Sequence, residues 1–201
     1  MKKLSTYISV PLIIASFALA NNLNAASYPT SYPYVGFSIG QATMEETCNG
    51  SSGISGVSCE DSDTSFKVYG GVKIHKNYAF ELSYIDMGES VITNNIDTLT
   101  IEAAGLNASV IGIIPASNNV DIFGKAGLMY WETKKSESGT FNGTIASSKG
   151  ADLTFGFGAN VGVSRTFAIR AEFEKFLNVG GEQTTGESAF TLITLGVAYY
   201  F

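Results

Sequence analysis

Residues 153–163 read Leu-Thr-Phe-Gly-Phe-Gly-Ala-Asn-Val-Gly-Val. The odd positions, Leu153, Phe155, Phe157, Ala159, Val161 and Val163, are all apolar, and the even ones, Thr154, Gly156, Gly158, Asn160 and Gly162, are small or polar. Successive side chains of a strand point to opposite faces, so this alternation describes a strand with one greasy face and one face of glycine and small polar groups. The spacing of Gly156, Gly158 and Gly162 resembles a phosphate-binding loop only superficially, because these glycines alternate along a strand instead of opening a helix.

The same period of two recurs on both sides of this stretch. Upstream, Val35, Phe37 and Ile39 alternate with Gly36, Ser38 and Gly40; Phe66, Val68, Val72 and Ile74 with Lys67, Tyr69, Gly71 and Lys73. Tyr78, Phe80, Leu82 and Tyr84 alternate with Ala79, Glu81 and Ser83; Leu106, Ala108 and Val110 with Asn107 and Ser109; Ile122, Ala126, Leu128 and Tyr130 with Phe123, Lys125 and Gly127. Downstream, Ile169, Ala171 and Phe173 oppose Arg170, Glu172 and Glu174, and Thr191, Ile193, Leu195, Val197, Tyr199 and Phe201 oppose Leu192, Thr194, Gly196, Ala198 and Tyr200. With residues 153–163 these make about eight strands. Their connections alternate, short at residues 75–77, 115–119 and 164–166, long at 43–63, 88–98, 133–150 and 178–188.

One face of these segments is nearly all apolar and rich in rings, and the other carries Lys67, Lys73, Glu81, Lys125, Arg170, Glu172 and Glu174 among small residues. A small soluble barrel turns its apolar face inward, but so many large rings overfill so small an interior. Turned outward into lipid, they form the apolar band and aromatic girdles of a spanning barrel, and the charges fall inside, where they must be paired. The predicted fold is therefore all-β, an eight-stranded antiparallel up-and-down transmembrane β-barrel. Short periplasmic turns and long external loops then place both termini in the periplasm.

The N-terminus agrees with export. Lys2 and Lys3 precede an apolar run over residues 8–20, too short to span a bilayer comfortably, and residues 21–26 end in small side chains suited to cleavage after Ala25 or Ala26. The expected layout is a signal peptide over residues 1–26 and one barrel domain over 27–201. The formal net charge is −6 and becomes more negative when Lys2 and Lys3 are removed, so no basic surface offers itself to nucleic acid. Cys48 and Cys59 share a polar Ser/Gly-rich stretch, where an exported protein is expected to close a disulfide. The single histidine, His75, lies in another segment, so neither a metal site nor a cofactor is expected.

Several stretches in order resemble the OmpA-like transmembrane domain: Tyr34-Val-Gly, Phe80-Glu-Leu-Ser-Tyr, Leu106-Asn-Ala-Ser, Asp121-Ile-Phe-Gly-Lys-Ala-Gly-Leu-Met-Tyr-Trp131, Arg170-Ala-Glu-Phe173 and Leu195-Gly-Val-Ala-Tyr-Tyr-Phe201. The resemblance implies that a Glu on the third strand, here Glu81, pairs inside the barrel with an Arg on the seventh, here Arg170. The family's alternative Lys and Glu partners match Ser109 and Asn160, so both charges are missing together and a partner-switching gate does not carry over. Lys125 matches a basic residue on the fifth strand. The chain ends with the eighth strand, where full-length relatives continue into a peptidoglycan-binding domain. Leu195, Val197, Tyr199 and Phe201 resemble the C-terminal signal read by the outer-membrane assembly machinery.

These expectations describe a non-enzymatic protein of the bacterial outer membrane, serving envelope integrity or surface interaction through external loops. Its partners would be outer-membrane lipid, the assembly machinery and a surface ligand. The acidic first loop, with Glu45, Glu46, Glu60, Asp61 and Asp63, is the leading contact surface. The alternative is a narrow or gated porin-like channel. A lipid-modifying enzyme ranks below both, since His75 stands on a turn without a nucleophile constellation.

Overall fold

The computed structural model describes residues 32–45, 58–93, 97–139, 142–180 and 188–201. The expected signal segment lies outside them. Among the described residues nine strands follow in chain order: β1 Tyr32–Met44, β2 Ser58–Glu60, β3 Ser62–His75, β4 Tyr78–Thr93, β5 Thr98–Pro115, β6 Val120–Ser138, β7 Gly143–Gly162, β8 Phe167–Val179 and β9 Ser188–Tyr200. The short β2 pairs with β4 just beyond the end of β3 and continues its line. The remaining eight form a closed antiparallel barrel in sequence order, sealed where β1 pairs with both β3 and β9. Around the spanning wall, closure leaves no free edge, so backbone donors and acceptors there are satisfied between strands, while above it β7 from Gly143 to Leu153 pairs among the described residues with β6 alone.

Register follows from side-chain size. Inward-pointing rings lie over glycines of the adjacent strand, and the arrangement is reciprocal on β1 and β3: Tyr34 stands opposite Gly71, and Tyr69 opposite Gly36. A Cβ on Gly71 would come within 2.5 Å of the Tyr34 ring, and one on Gly36 would fall inside the Tyr69 ring. A slip of one residue would drive both rings to the other face.

The alternation holds on every barrel strand. Phe37, Phe80, Leu128, Phe157 and Ile193 are exposed on the outer wall, at 43%, 53%, 58%, 61% and 60%, while Lys67, Glu81 and Glu174 are almost wholly buried inside.

Two expectations need correction. Residues 88–98 and 133–150 are not long loops: β4 and β5 stay paired out to Thr93 and Thr98, and β6 and β7 out to Glu137 and Gly143. Apolar alternation marks a strand only where one face meets an apolar medium. Above that level the β6–β7 hairpin carries mostly Ser, Thr, Lys and Glu, and its hydrogen-bond ladder continues without the pattern, while on β5 the alternation is kept only by Leu99, Ile101 and Ala103. A bulge between Asp86 and Glu89 bends β4 at this level; Gly88 adopts φ 71°, and the Asp63 carboxylate accepts the Glu89 N–H at 2.9 Å and the Thr64 N–H at 2.6 Å.

The second correction concerns the interior, which is polar only at mid-height. Toward the long connections it is filled by an apolar cluster that includes Met44, Met87, Met129, Trp131, Phe176 and Phe190. Toward the short turns a second cluster gathers Tyr34, Tyr69, Ala79, Ile111, Ile113, Phe123 and Ala198. No inner row contributes more than two residues to either end, too few to register as a pattern along any single strand.

Candidate functional site

The wall positions six charged side chains at mid-height: Lys67 on β3, Glu81 on β4, Lys125 on β6, and Arg170, Glu172 and Glu174 on β8. The three residues of β8 alternate at period two, so all of them point inward. Lys67 Nζ lies 2.6 Å from Glu172 Oε2, 2.5 Å from Glu174 Oε2 and 3.9 Å from Glu81 Oε1. Lys125 Nζ lies 2.9 Å from Glu172 Oε1, 2.5 Å from Glu174 Oε1 and 3.4 Å from Glu81 Oε1. Arg170 Nη1 donates to Glu81 Oε2 at 2.5 Å.

The three cations and three anions balance, which is what burial requires. An isolated buried ion costs several kcal/mol, and only close pairing with further hydrogen bonds offsets that. Those further bonds are present. Tyr34 Oη donates to Glu81 Oε2 at 2.9 Å, and Arg170 Nε donates to Asn160 Oδ1 at 2.9 Å. The guanidinium also lies over the rings of Tyr69, Phe123 and Tyr34, 4.4, 4.9 and 5.5 Å from their centroids.

Of the charges singled out in the sequence, Lys73 alone is elsewhere. It pairs with Asp121 at 3.1 Å, part-exposed at the short-turn end. Its removal from the cluster leaves the network electroneutral, where the sequence suggested one surplus cation. The Glu81–Arg170 pairing implied by the family resemblance is present, and Lys125 joins Glu81, Glu172 and Glu174 together. Ser109, opposite Glu81 in register, and Asn160, opposite Arg170, occupy the positions of the missing family charges.

Sequence reasoning missed the parts played by Tyr34, Phe123, Asn160 and Asp121. Tyr34 sits at the start of a strand, where only its inward parity, two positions before Gly36, signals a lumenal role. Asp121 shows no signal until the barrel closes and brings it beside Lys73.

Leu195, Val197, Tyr199 and Phe201 form one exposed outward row on β9 and the C-terminus, the last two in edge-to-face contact at 5.0 Å. Cys48 and the side chain of Cys59 lie outside the described residues, as do Glu46 and the side chain of Glu60. His75 accepts the Asn77 N–H at its turn, Nδ1 to N 3.3 Å. Among the described residues no group of three or more His, Cys, Asp or Glu is arranged to hold a metal ion. The lumenal carboxylates are each engaged by a lysine or by Arg170.

At the long-connection rim, Glu45 accepts from Thr191 Oγ1 at 2.7 Å and from Lys175 Nζ at 2.9 Å. These hydrogen bonds, that of Thr191 first, hold the Glu45 carboxyl below the usual carboxylate range.

Outer membrane protein A of Klebsiella pneumoniae is 25% identical over 136 residues, 66% of this chain and 40% of that protein, so the match spans less than half of the relative's length. Among solved structures, Neisserial surface protein A is similar at TM-score 0.55 with 14% identity, covering 86% of this chain and 97% of that one. Ail of Yersinia pestis, solved in complex with the heparin analogue sucrose octasulfate, is similar at TM-score 0.52 with 13% identity, covering 85% and 97%. At such identity the likeness speaks for the fold. The family model of the OmpA-like transmembrane domain matches residues 30–201, and the chain belongs to that family of integral bacterial outer-membrane barrels.

Proposed function

We propose that this protein is a non-enzymatic outer-membrane barrel that serves envelope integrity or surface interaction through the segments it raises above the membrane. The observation that carries the reading is the division of the molecule. The barrel interior is committed to internal pairing and packing, and the β4–β5 and β6–β7 hairpins stay ordered well beyond the apolar belt. Recognition residues gather on segments that a rigid scaffold presents, and these hairpins are such segments. The belt of exposed rings contacts lipid, residues 1–26 direct export, and both termini lie on the periplasmic side. The outward row Leu195, Val197, Tyr199 and Phe201 serves assembly by offering an alternating strand for docking.

The experiment uses cells lacking the protein, complemented with wild type or with a variant in which residues 134–148 are replaced by a two-residue turn. The variant is expected to insert, as judged by heat-modifiable gel mobility, and to fail to restore detergent resistance or attachment to surfaces. Full restoration by the shortened protein would place the role in the barrel instead. Deleting Phe201 is expected to lower the amount of folded protein in the membrane; unchanged insertion would remove the assembly role of the last strand.

A further inference from the structure

We infer that the lumen is closed by two seals of different chemistry, an apolar one toward the long connections that shuts out water-borne reagents and an ionic-aromatic one toward the short turns that is sufficient alone to stop ions. The inference is independent of the surface role proposed above, because it concerns the interior only.

The inner row of β4 gives the layering in a single strand. Ala79 belongs to the lower cluster, Glu81 to the charge network, Ser83 lies between, and Ile85 and Met87 belong to the upper cluster. β6 repeats the order with Phe123, Lys125, Met129 and Trp131. No residue is shared between the two clusters, and the buried charged side chains, Lys67, Glu81, Lys125, Arg170, Glu172 and Glu174, all belong to the network at mid-height.

Each layer opposes a different part of ion passage. In the upper layer Ile85, Met129 and Phe176 have no exposed surface, Trp131 is 5% exposed, and the buried hydroxyls of Ser90, Thr133 and Thr154 stand opposite Ile101, Ala103 and Phe176. A constriction dominated by apolar groups, with only a few hydroxyls among them, holds little water, and an ion there would lose most of its hydration with little to replace it. In the lower layer Arg170 is tied to Glu81 and Asn160 and held among three rings, so a passing ion must break charge-assisted bonds and part the rings. Because the barriers use different groups, breaching one leaves the other standing. Ser83, 3% exposed and placed between them, is a position from which the upper one can be opened while the lower stays intact.

The test introduces Ser83→Cys into a Cys48→Ser/Cys59→Ser background and measures its reaction with a water-soluble methanethiosulfonate reagent on the folded protein in detergent. Planar-bilayer conductance is recorded in parallel. With both seals intact the thiol is expected to resist labelling and the bilayer to stay silent. Adding Trp131→Ala and Phe176→Ala is expected to speed labelling on the order of tenfold or more, by opening a local path, while conductance remains absent because the lower seal holds. Heat-modifiable mobility verifies folding; if that variant does not fold, Met129→Ala in the same layer takes its place with the same expectations. Rapid labelling of the barrel with both seals intact, unchanged labelling after the upper layer is cut away, or conductance from the upper-layer variant alone would each overturn the inference.

Discussion

Arg170 and Glu81 stand on β8 and β4, four places apart around the eight-stranded ring, and their guanidinium and carboxylate meet across the lumen at 2.5 Å. The pair therefore ties opposite walls of the barrel. It is also the point where the charge network joins the lower aromatic layer, since Tyr34 donates to the same carboxylate oxygen and lies beneath the guanidinium.

Removing one partner should cost far more than removing both. Arg170→Ala leaves a buried carboxylate short of a cation and is expected to lower stability by about 3–5 kcal/mol. Glu81→Met together with Arg170→Met keeps the network balanced and fills the space, so its loss should be clearly smaller. Urea unfolding of the protein in lipid vesicles measures both; equal losses would mean that the pair is not an energetic unit.

The glycine opposite Tyr69 should not tolerate a methyl group. Gly36→Ala would place its Cβ in the ring, and displacing a packed side chain costs about 1–3 kcal/mol. In a Tyr69→Leu background the same substitution should cost much less. A double-mutant cycle on the thermal unfolding midpoint checks the coupling, and simple additivity would show that the ring yields freely.

At the rim, Glu45 links β1 to Lys175 of β8 and Thr191 of β9. Its carboxyl is held lower in the folded state than in the unfolded chain, so its contribution is present above the usual carboxylate range and disappears as pH falls through the lowered value. Both Glu45 and Lys175 are more than one-third exposed, which limits the pair to at most about 0.5 kcal/mol. Lys175→Met should therefore lower the melting temperature slightly at neutral pH and leave it unchanged in strong acid. A difference that persists in acid would assign the effect to packing.

The barrel itself was legible because a membrane protein of this kind writes its outer face into the sequence: Phe155, Phe157 and Val161 announce both the strand and its exposed side. The charges of the network were legible by parity for the same reason, and Glu81 with Arg170 by resemblance as well. Lys73 was misplaced because parity gives the face of a residue but not its height along the barrel axis. The apolar layer of Met44, Met87, Met129, Trp131 and Phe176 escaped for a related reason. Its members come from separate strands, one or two each, and only the stagger of the strands brings them level. The raised β6–β7 hairpin carries no apolar signature, so backbone pairing there was invisible to a reading based on hydrophobic period; on β5 the short alternation of Leu99 and Ile101 was too brief to be read as a strand.

The assignment of inside and outside is tested most directly by fluorescence quenching from lipid. Trp131 is the only tryptophan and lies inside the barrel, so brominated acyl chains should leave its emission nearly untouched. In a Trp131→Phe background, Phe157→Trp should be strongly quenched by the same lipids, whereas Phe123→Trp should not. Quenching of the tryptophan at 123 with sparing of the one at 157 would contradict the account.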